Sequence, residues 1–218
     1  MSIDNDSNPF GVELPDNELT HLVMTFAGGS PDTRKLYLNG SLRATNTDGS
    51  KANTDSGSAT FDIGGRLTSY PSPVYINEVS MWDKTLSLAE VQELFNDGIA
   101  LDATTHSASP STGTDNLIGY WRNVGLGEWE DLSQNTNDGT PTNATDTILL
   151  PEGTTSGKDL LGFPLTHPNS GWLNLSGGEY VEIADNDVLD FGTGDFSIEC
   201  WLVAKYTNTG SSWNVAIG

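Results

Sequence analysis

A short stretch near the end of the sequence, DFSIECWLV (195–203), places the strongest limit on the fold. Its apolar side chains recur at every second position, at Phe196, Ile198, Cys200 and Leu202. A period of two is that of a β-strand with one buried face. Because only about fifteen residues follow it, the rest of its sheet must be supplied from elsewhere.

Other stretches with strand character recur along the chain, separated by turn residues. The predicted strands are THLVMTF (20–26), ATFDIGG (59–65), VYINEVSMWD (74–83), LIGYW (117–121) and EYVEI (179–183). Within RKLYLNGSLRAT, Asn39 and Gly40 favour the positive φ angles of a type I′ turn, which predicts a β-hairpin. With 24 glycines and 10 prolines in 218 residues, the composition suits short strands joined by turns. The sequence therefore predicts an all-β protein.

One short helix is predicted around residues 87–97. Ser87 is a suitable N-cap, and Glu90 three residues later completes a capping box. Gly98 suits the position just after the helix. The apolar stripe consists of Val91, Leu94 and Phe95.

The charge of the chain excludes some classes of partner. Nine basic residues stand against thirty acidic ones, giving a formal net charge of −21. Such a surface repels phosphate backbones and anionic lipids, so we expect neither nucleic acid nor a membrane as a partner. Either solubility in a salty medium or a role in cation binding would explain the charge.

No apolar run approaches the length of a membrane span, and MSIDNDSNPF lacks the apolar region of a secretory signal. The single cysteine, Cys200, is expected to be buried and cannot form an intrachain disulfide.

The ordered set of blocks resembles the laminin G-like, concanavalin A-like jelly-roll family in its bacterial and phage form. The blocks similar to its first half are GYW (119–121), DLSQNTNDG (131–139), EYVEI and FSIECWLV. Those similar to its second half are THLVMTF, KLYLNG, DIGGR, INEVSMWDKTLS and AEVQELFNDG. The resemblance implies a two-sheet antiparallel jelly-roll sandwich.

The two halves of the family pattern occur here in permuted order. Residues 1–100 resemble its C-terminal half, residues 101–116 are predicted to form a linker, and residues 117–218 resemble its N-terminal half. A half-sandwich alone would expose its inner face and its strand edges. Three alternatives supply the missing cover: a segment of a tandem array cut across two domains, a circularly permuted single domain, or halves completed by neighbouring copies.

The phrases GYWRN, DLSQNTNDGTPTN and DNDVLDFGTGDFSIECW also resemble repeats in virion-associated proteins of marine phages. This resemblance implies a virion or an extracellular surface as the location.

The sequence offers no convergent set of catalytic groups. Gly-x-Ser-x-Gly, HExxH and P-loop motifs are absent. Glu179 and Glu182 are three apart in a predicted strand and face opposite sides. We therefore expect no enzyme activity, although relatives with this sandwich architecture include glycan hydrolases, which use paired carboxylates.

Two loops rich in Asp and Asn are candidate calcium sites. The first contains Asp131, Asn135, Asn137 and Asp138, followed by Gly139, which would allow a tight bend; the second contains Asp185 and Asp187, with Asn186 and Asp190. Calcium takes about six to eight oxygen ligands, which such loops supply. Neither has EF-hand spacing, and Asp and Asn are also ordinary turn residues.

Three aromatic residues in polar surroundings are candidate glycan contacts: Trp129, Trp213 and Tyr70. An exposed ring can stack on the apolar face of a sugar while neighbouring polar groups bind its hydroxyls. Trp82, Trp121 and Trp201 lie within strand patterns and are expected to pack in or against the sheets. Packing is an alternative for each of the three candidates as well.

The expected function is a non-catalytic adhesion, glycan-binding or structural module of a virion or surface protein. Its partners would be glycans, other copies of itself or other virion proteins. The alternatives are a purely structural decoration or filament subunit completed by neighbouring copies, and a glycan hydrolase.

Overall fold

The structure, a computed structural model, describes residues 2–3, 10–47, 60–64, 74–109, 116–123, 127–150, 157–163, 171–175, 178–205 and 215–216. Within them the chain forms thirteen β-strands and one α-helix. The strands are β1 (Ser2–Ile3), β2 (Leu19–Ala27), β3 (Thr33–Leu38), β4 (Ser41–Asn46), β5 (Phe61–Gly64), β6 (Val74–Trp82), β7 (Leu117–Trp121), β8 (Gly139–Thr142), β9 (Thr145–Thr147), β10 (Trp172–Leu175), β11 (Tyr180–Ile183), β12 (Phe196–Ala204) and β13 (Val215–Ala216). The helix, α1, is Leu88–Phe95.

Eight strands form a large antiparallel sheet in the order β4-β3-β2-β12-β6-β10-β9, and β7 pairs with β6 beside β10. The strand that contains FSIECWLV, β12, lies between β2 and β6 and pairs with both. Strands from residues 1–100 and from residues 117–218 therefore alternate within one sheet. The two segments are one permuted domain or parts of two tandem domains, and both alternatives stay predictions.

A smaller antiparallel sheet has the order β5-β11-β8, and β1 pairs with β13 in a separate two-stranded ladder. The main core lies between the large and small sheets, because each strand turns every second side chain inward. Its residues from the large sheet include Met24, Ile76, Ile198 and Leu202, and those from the small sheet include Phe61, Ile63, Val181 and Ile183. The predicted two-sheet antiparallel sandwich is confirmed.

The opposite face of the large sheet, the outer face, is also largely covered. Every residue of β12 is buried, including Ser197, Glu199 and Trp201. The prediction that only one face of this strand is buried is therefore wrong. The cover consists of α1, of residues 99–109 and of residues 157–163, whose apolar side chains form two further clusters.

The segment predicted as a linker, residues 101–116, packs against this outer face where it is described. Residues 103–105 form a 3₁₀ turn that Asp102 caps. Ala103, His106 and Ala108 are buried. Small and polar composition predicts a linker, but small side chains also allow a loop to lie close against a sheet.

Two predicted local elements are confirmed. Asn39 and Gly40 have φ angles of 50° and 70° and join β3 to β4. The capping box of α1 is formed by Ser87 and Glu90. The helix ends at its C-cap Asn96, which is in the left-handed conformation and lies two residues before Gly98; a 3₁₀ turn over Asn96–Gly98 follows.

Cys200 is buried, as expected, and burial together with the neighbouring Glu199 charge raises the pKa of its thiol well above the usual value. In the part of the chain that the structure describes, no helix combines the length and apolarity needed to cross a bilayer.

Candidate functional site

The first predicted calcium loop, residues 131–138, lies against β7. Hydrogen bonds within the loop and between the loop and β7 hold it there. Asp131 is 4% exposed. Its Oδ1 accepts hydrogen bonds from the backbone N–H groups of Tyr120 and Ser133, both at 2.9 Å. Its Oδ2 accepts one from the Asn137 N–H at 2.9 Å. The carboxylate thus fixes the loop to the strand in the manner of an extended Asx turn.

The other residues of this loop make similar contacts. Asp138 Oδ1 accepts from the Asp131 N–H at 2.8 Å, and Asn135 Nδ2 donates to the Ile118 carbonyl at 3.1 Å. The Trp121 indole donates to the Asn137 carbonyl at 2.8 Å. Gly139 begins β8, where a Cβ atom would lie 2.5 Å from a Val181 methyl, so it permits close packing rather than a tight bend.

These contacts account for the loop residues without a metal ion. Among the described residues, no three His, Cys, Asp or Glu side chains gather closely enough to hold one. Both Asp131 oxygens accept backbone N–H groups, so a calcium ion bound there would replace these hydrogen bonds. Calcium binding there stays a prediction.

The second predicted calcium loop contains a 3₁₀ turn, Asp187–Leu189, capped by Asn186. Asn186 Oδ1 accepts from the Val188 N–H at 3.1 Å. Asp185 and Asp187 are exposed. The turn is anchored by Val188 and Leu189, which pack against the main core.

The aromatic candidates have different outcomes. Trp129, a candidate glycan contact, is fully buried in the main core, which agrees with the alternative of packing. Its backbone N–H and C=O both pair with Gly139 at 2.8 Å, which turns the ring inward. Trp213 and Tyr70 lie outside the described residues. The expected burial of the strand tryptophans, Trp82, Trp121 and Trp201, is confirmed.

A buried polar network that sequence reasoning missed occupies the outer face. Glu199 of β12 accepts from Ser80 Oγ at 2.6 Å and lies 3.1 Å from His21 Nε2. Ser80 accepts in turn from the Trp82 indole N–H at 2.9 Å. All four side chains are at least 96% buried. Only the strand register brings them together from β2, β6 and β12.

A second polar group surrounds Glu78, at the point where β6 changes partner from β10 to β7. Glu78 accepts from the Tyr120 hydroxyl, and Arg122 lies between Glu78 and Asp102 at 3.6 Å and 3.2 Å. Burial raises the pKa of Glu78 to about 7; Arg122 and Tyr120 oppose this shift, and the charges of Glu199 and Asp102 add to it. The φ angle of Glu78 is 53°, an irregularity that strand alternation does not predict.

The small sheet also brings two carboxylates together. Glu182 of β11 lies directly opposite Asp62 of β5, on the sheet face turned away from the main core. Cross-strand neighbours of this kind are about 5 Å apart at Cβ. This pair was not predicted from the sequence, where Glu182 was compared only with the nearby Glu179 and Asp62 lies far away.

One row of residues on the outer face combines an aromatic ring with polar groups near solvent. It follows the register across β2, β12, β6, β10 and β9. We call it the Tyr75 row; its residues are Leu19, Val203, Tyr75, Asn174 and Thr145. Thr145 is exposed, and Leu19, Tyr75 and Asn174 are half-buried. The row lies beside the cover of residues 157–163 and Leu149.

The polar groups of the Tyr75 row contact one another and a lysine. Asn174 Nδ2 donates to Thr145 Oγ1 at 3.1 Å, and Lys205 Nζ donates to Asn174 Oδ1 at 2.7 Å. Lys205 Nζ also lies 3.2 Å from the centre of the Tyr75 ring. A ring, an amide, a hydroxyl and an ammonium group thus meet on one sheet face. None was predicted, because Tyr75 lies in a strand pattern and Asn174 between two leucines.

Comparison with known proteins matches the first part of the sequence to one protein family. No curated protein and no solved structure gave a significant match, and the resemblance to phage proteins is not confirmed. The match covers β1 to β6 and the first part of α1, where the fold is consistent with a concanavalin A-like sandwich. Residues 3–92 match the family described as the Concanavalin A-like lectin/glucanases superfamily.

Proposed function

We propose that this protein is a non-catalytic glycan-binding module and that the Tyr75 row is its contact surface. The observation that supports this most is the placement of Tyr75, Asn174 and Thr145 in register on three adjacent strands. Amides and hydroxyls such as those of Asn174 and Thr145 bind the O–H groups of sugars, and a half-buried aromatic ring beside them can contact sugar C–H groups. The family match over residues 3–92 agrees with a lectin-type module.

The neighbouring surface favours this row over the other aromatic residues. The tryptophans in the described part of the chain are buried, so a ligand cannot reach them. Tyr75 is only half-buried and belongs to the same apolar cluster as Leu149, Leu160 and Phe163. A sugar lying along the row would contact this cluster and the sheet together.

The first test is binding to a broad glycan array in millimolar calcium and again in EDTA. We expect binding in both conditions, because the residues of the Tyr75 row need no metal ion. Tyr75→Ala should weaken binding at least tenfold, whereas Tyr180→Ala, a change of another half-buried strand tyrosine, should not. Binding that disappears in EDTA would instead favour the predicted calcium loops. Absence of binding by folded protein would contradict the proposal.

The remaining expectations stay predictions. A role on a virion or an extracellular surface, or as a structural subunit completed by other copies, requires self-association or a partner protein. Analytical ultracentrifugation over a range of concentrations measures self-association.

Glycan hydrolysis would appear as new reducing ends on incubation with bound glycans, and Glu182→Gln tests the carboxylate pair of the small sheet.

A further inference from the structure

The position of Lys205 suggests which class of sugar the Tyr75 row would bind. The chain has nine basic and thirty acidic residues, and several of its described cations lie beside carboxylates. Arg34 contacts Asp32 at 3.1 Å, and Lys84 contacts Glu90 at 2.6 Å. Within the described residues, Lys205 has no carboxylate at ion-pair distance; it donates to Asn174 and lies over the Tyr75 ring.

We infer that the Tyr75 row is a subsite for an acidic sugar, whose carboxylate would pair with Lys205 while Asn174 and Thr145 bind the adjacent hydroxyls. This inference rests on the proposed function. The carboxylate of a hexuronate is the group that an ammonium without an acidic neighbour would bind most strongly. A lysine held by an amide is also partly fixed in place before a ligand arrives, which lowers the entropy cost of binding.

The location of the ammonium argues against a neutral sugar. Lys205 Nζ lies over the face of Tyr75, which is the face that a neutral pyranose would need for stacking. A neutral sugar would have to displace the cation and so break its interaction with the ring. An acidic sugar can leave the cation where it is and bind to its outer side.

The test compares oligogalacturonate with its fully methyl-esterified form, which has the same sugar skeleton without the negative charges. Isothermal titration calorimetry with the full chain should show the acid binding at least tenfold more tightly. Lys205→Met should remove this preference, and Lys205→Arg should retain most of it. Lys35→Met, the same charge change on β3, is the matched control and should leave the preference intact. Added salt should weaken only the binding of the acid.

Each outcome separates the inference from the proposed function. Equal binding of the acid and the ester, or a Lys205→Met variant that keeps the preference, would overturn the acidic-sugar subsite but leave a glycan-binding module in place. Absence of binding to every glycan on the array would overturn both. The melting temperature of each variant shows whether it is folded, and Lys205→Arg keeps the test valid if Lys205→Met is not.

Discussion

Asp131 and Glu78 are both buried carboxylates, but different neighbours give them different roles. Asp131 accepts hydrogen bonds from three backbone N–H groups, so each of these donors has a partner. Glu78 lies beside a tyrosine hydroxyl and the cation Arg122, near two other acids. The first carboxylate organises a loop, whereas the second titrates near neutral pH.

The loop role of Asp131 predicts a large effect on stability. Asp131→Ala leaves three backbone donors without their partner, and we expect it to lower the free energy of unfolding by about 3 kcal/mol. Asp138→Ala is the matched change, because the exposed Asp138 accepts one N–H bond; it should cost less than about 1.5 kcal/mol. Urea denaturation measures both. Equal small losses would show that Asp131 does not fix the loop.

Glu78 predicts a specific dependence of stability on pH. Its folded-state pKa of about 7 lies above the ordinary value of 4.5, so the folded protein binds this proton more tightly than the unfolded chain. Stability should therefore fall as pH rises from about 4.5 to about 7, by roughly 3 kcal/mol from this group, and change no further above that range.

Comparison with Glu78→Gln isolates the contribution of this residue, because repulsion among the other acidic residues acts on both proteins. The difference in unfolding free energy between the wild type and the variant should follow the titration of one carboxyl group. Urea denaturation at a series of pH values measures it. A difference that does not vary between pH 4.5 and 7 would contradict the raised pKa.

At the scale of elements, the hairpin between β3 and β4 shows how a local signal is used in packing. Asn39 and Gly40 provide the positive φ angles of the turn. Asn39 Oδ1 also accepts from the His21 N–H at 2.9 Å, and Gly40 lies against the ring of Phe95 in α1. The turn therefore links β2, the hairpin and the helix.

Gly40→Ala should destabilise the protein through two effects. A Cβ atom there would have a φ of +70° and lie 3.0 Å from Phe95 Cδ1. We expect a loss of about 2 to 3 kcal/mol in unfolding free energy. Gly11→Ala is the matched control, since Gly11 has a φ of +60° with open space around it; its loss of about 1 to 2 kcal/mol reports the backbone strain alone. Equal losses would show that the Phe95 side chain moves away from the added Cβ without lowering the free energy of unfolding.

At the scale of the whole molecule, the order of strands makes each part of the chain depend on the other. The strand β12 lies between β2 and β6, so its removal would expose the edges of both strands and take Ile198 and Leu202 from the main core and Trp201 from the outer face. Residues 99–109 likewise cover an outer face to which β7 and β12 contribute. Little of the core belongs to one segment alone.

This dependence predicts that fragments 1–109 and 116–218 do not fold separately. Each should give a disordered far-ultraviolet circular dichroism spectrum or aggregate, because unpaired strands and apolar faces are exposed. An equimolar mixture should regain the β-sheet spectrum of the intact chain. A monomeric fragment 1–109 with dispersed amide NMR signals would show that this segment is an independent domain.

The sequence by itself determined the strands, the Asn39-Gly40 hairpin and the capped helix, since their signals lie in neighbouring residues: alternation, turn residues and a capping box. It did not determine which faces are buried or which polar groups meet. The burial of Glu199 and the meeting of Tyr75 with Asn174 depend on strand register, and register joins residues that are far apart in the sequence. Tertiary structure alone decided these, because a side chain's solvent exposure and charge neighbours come from the strands packed beside it.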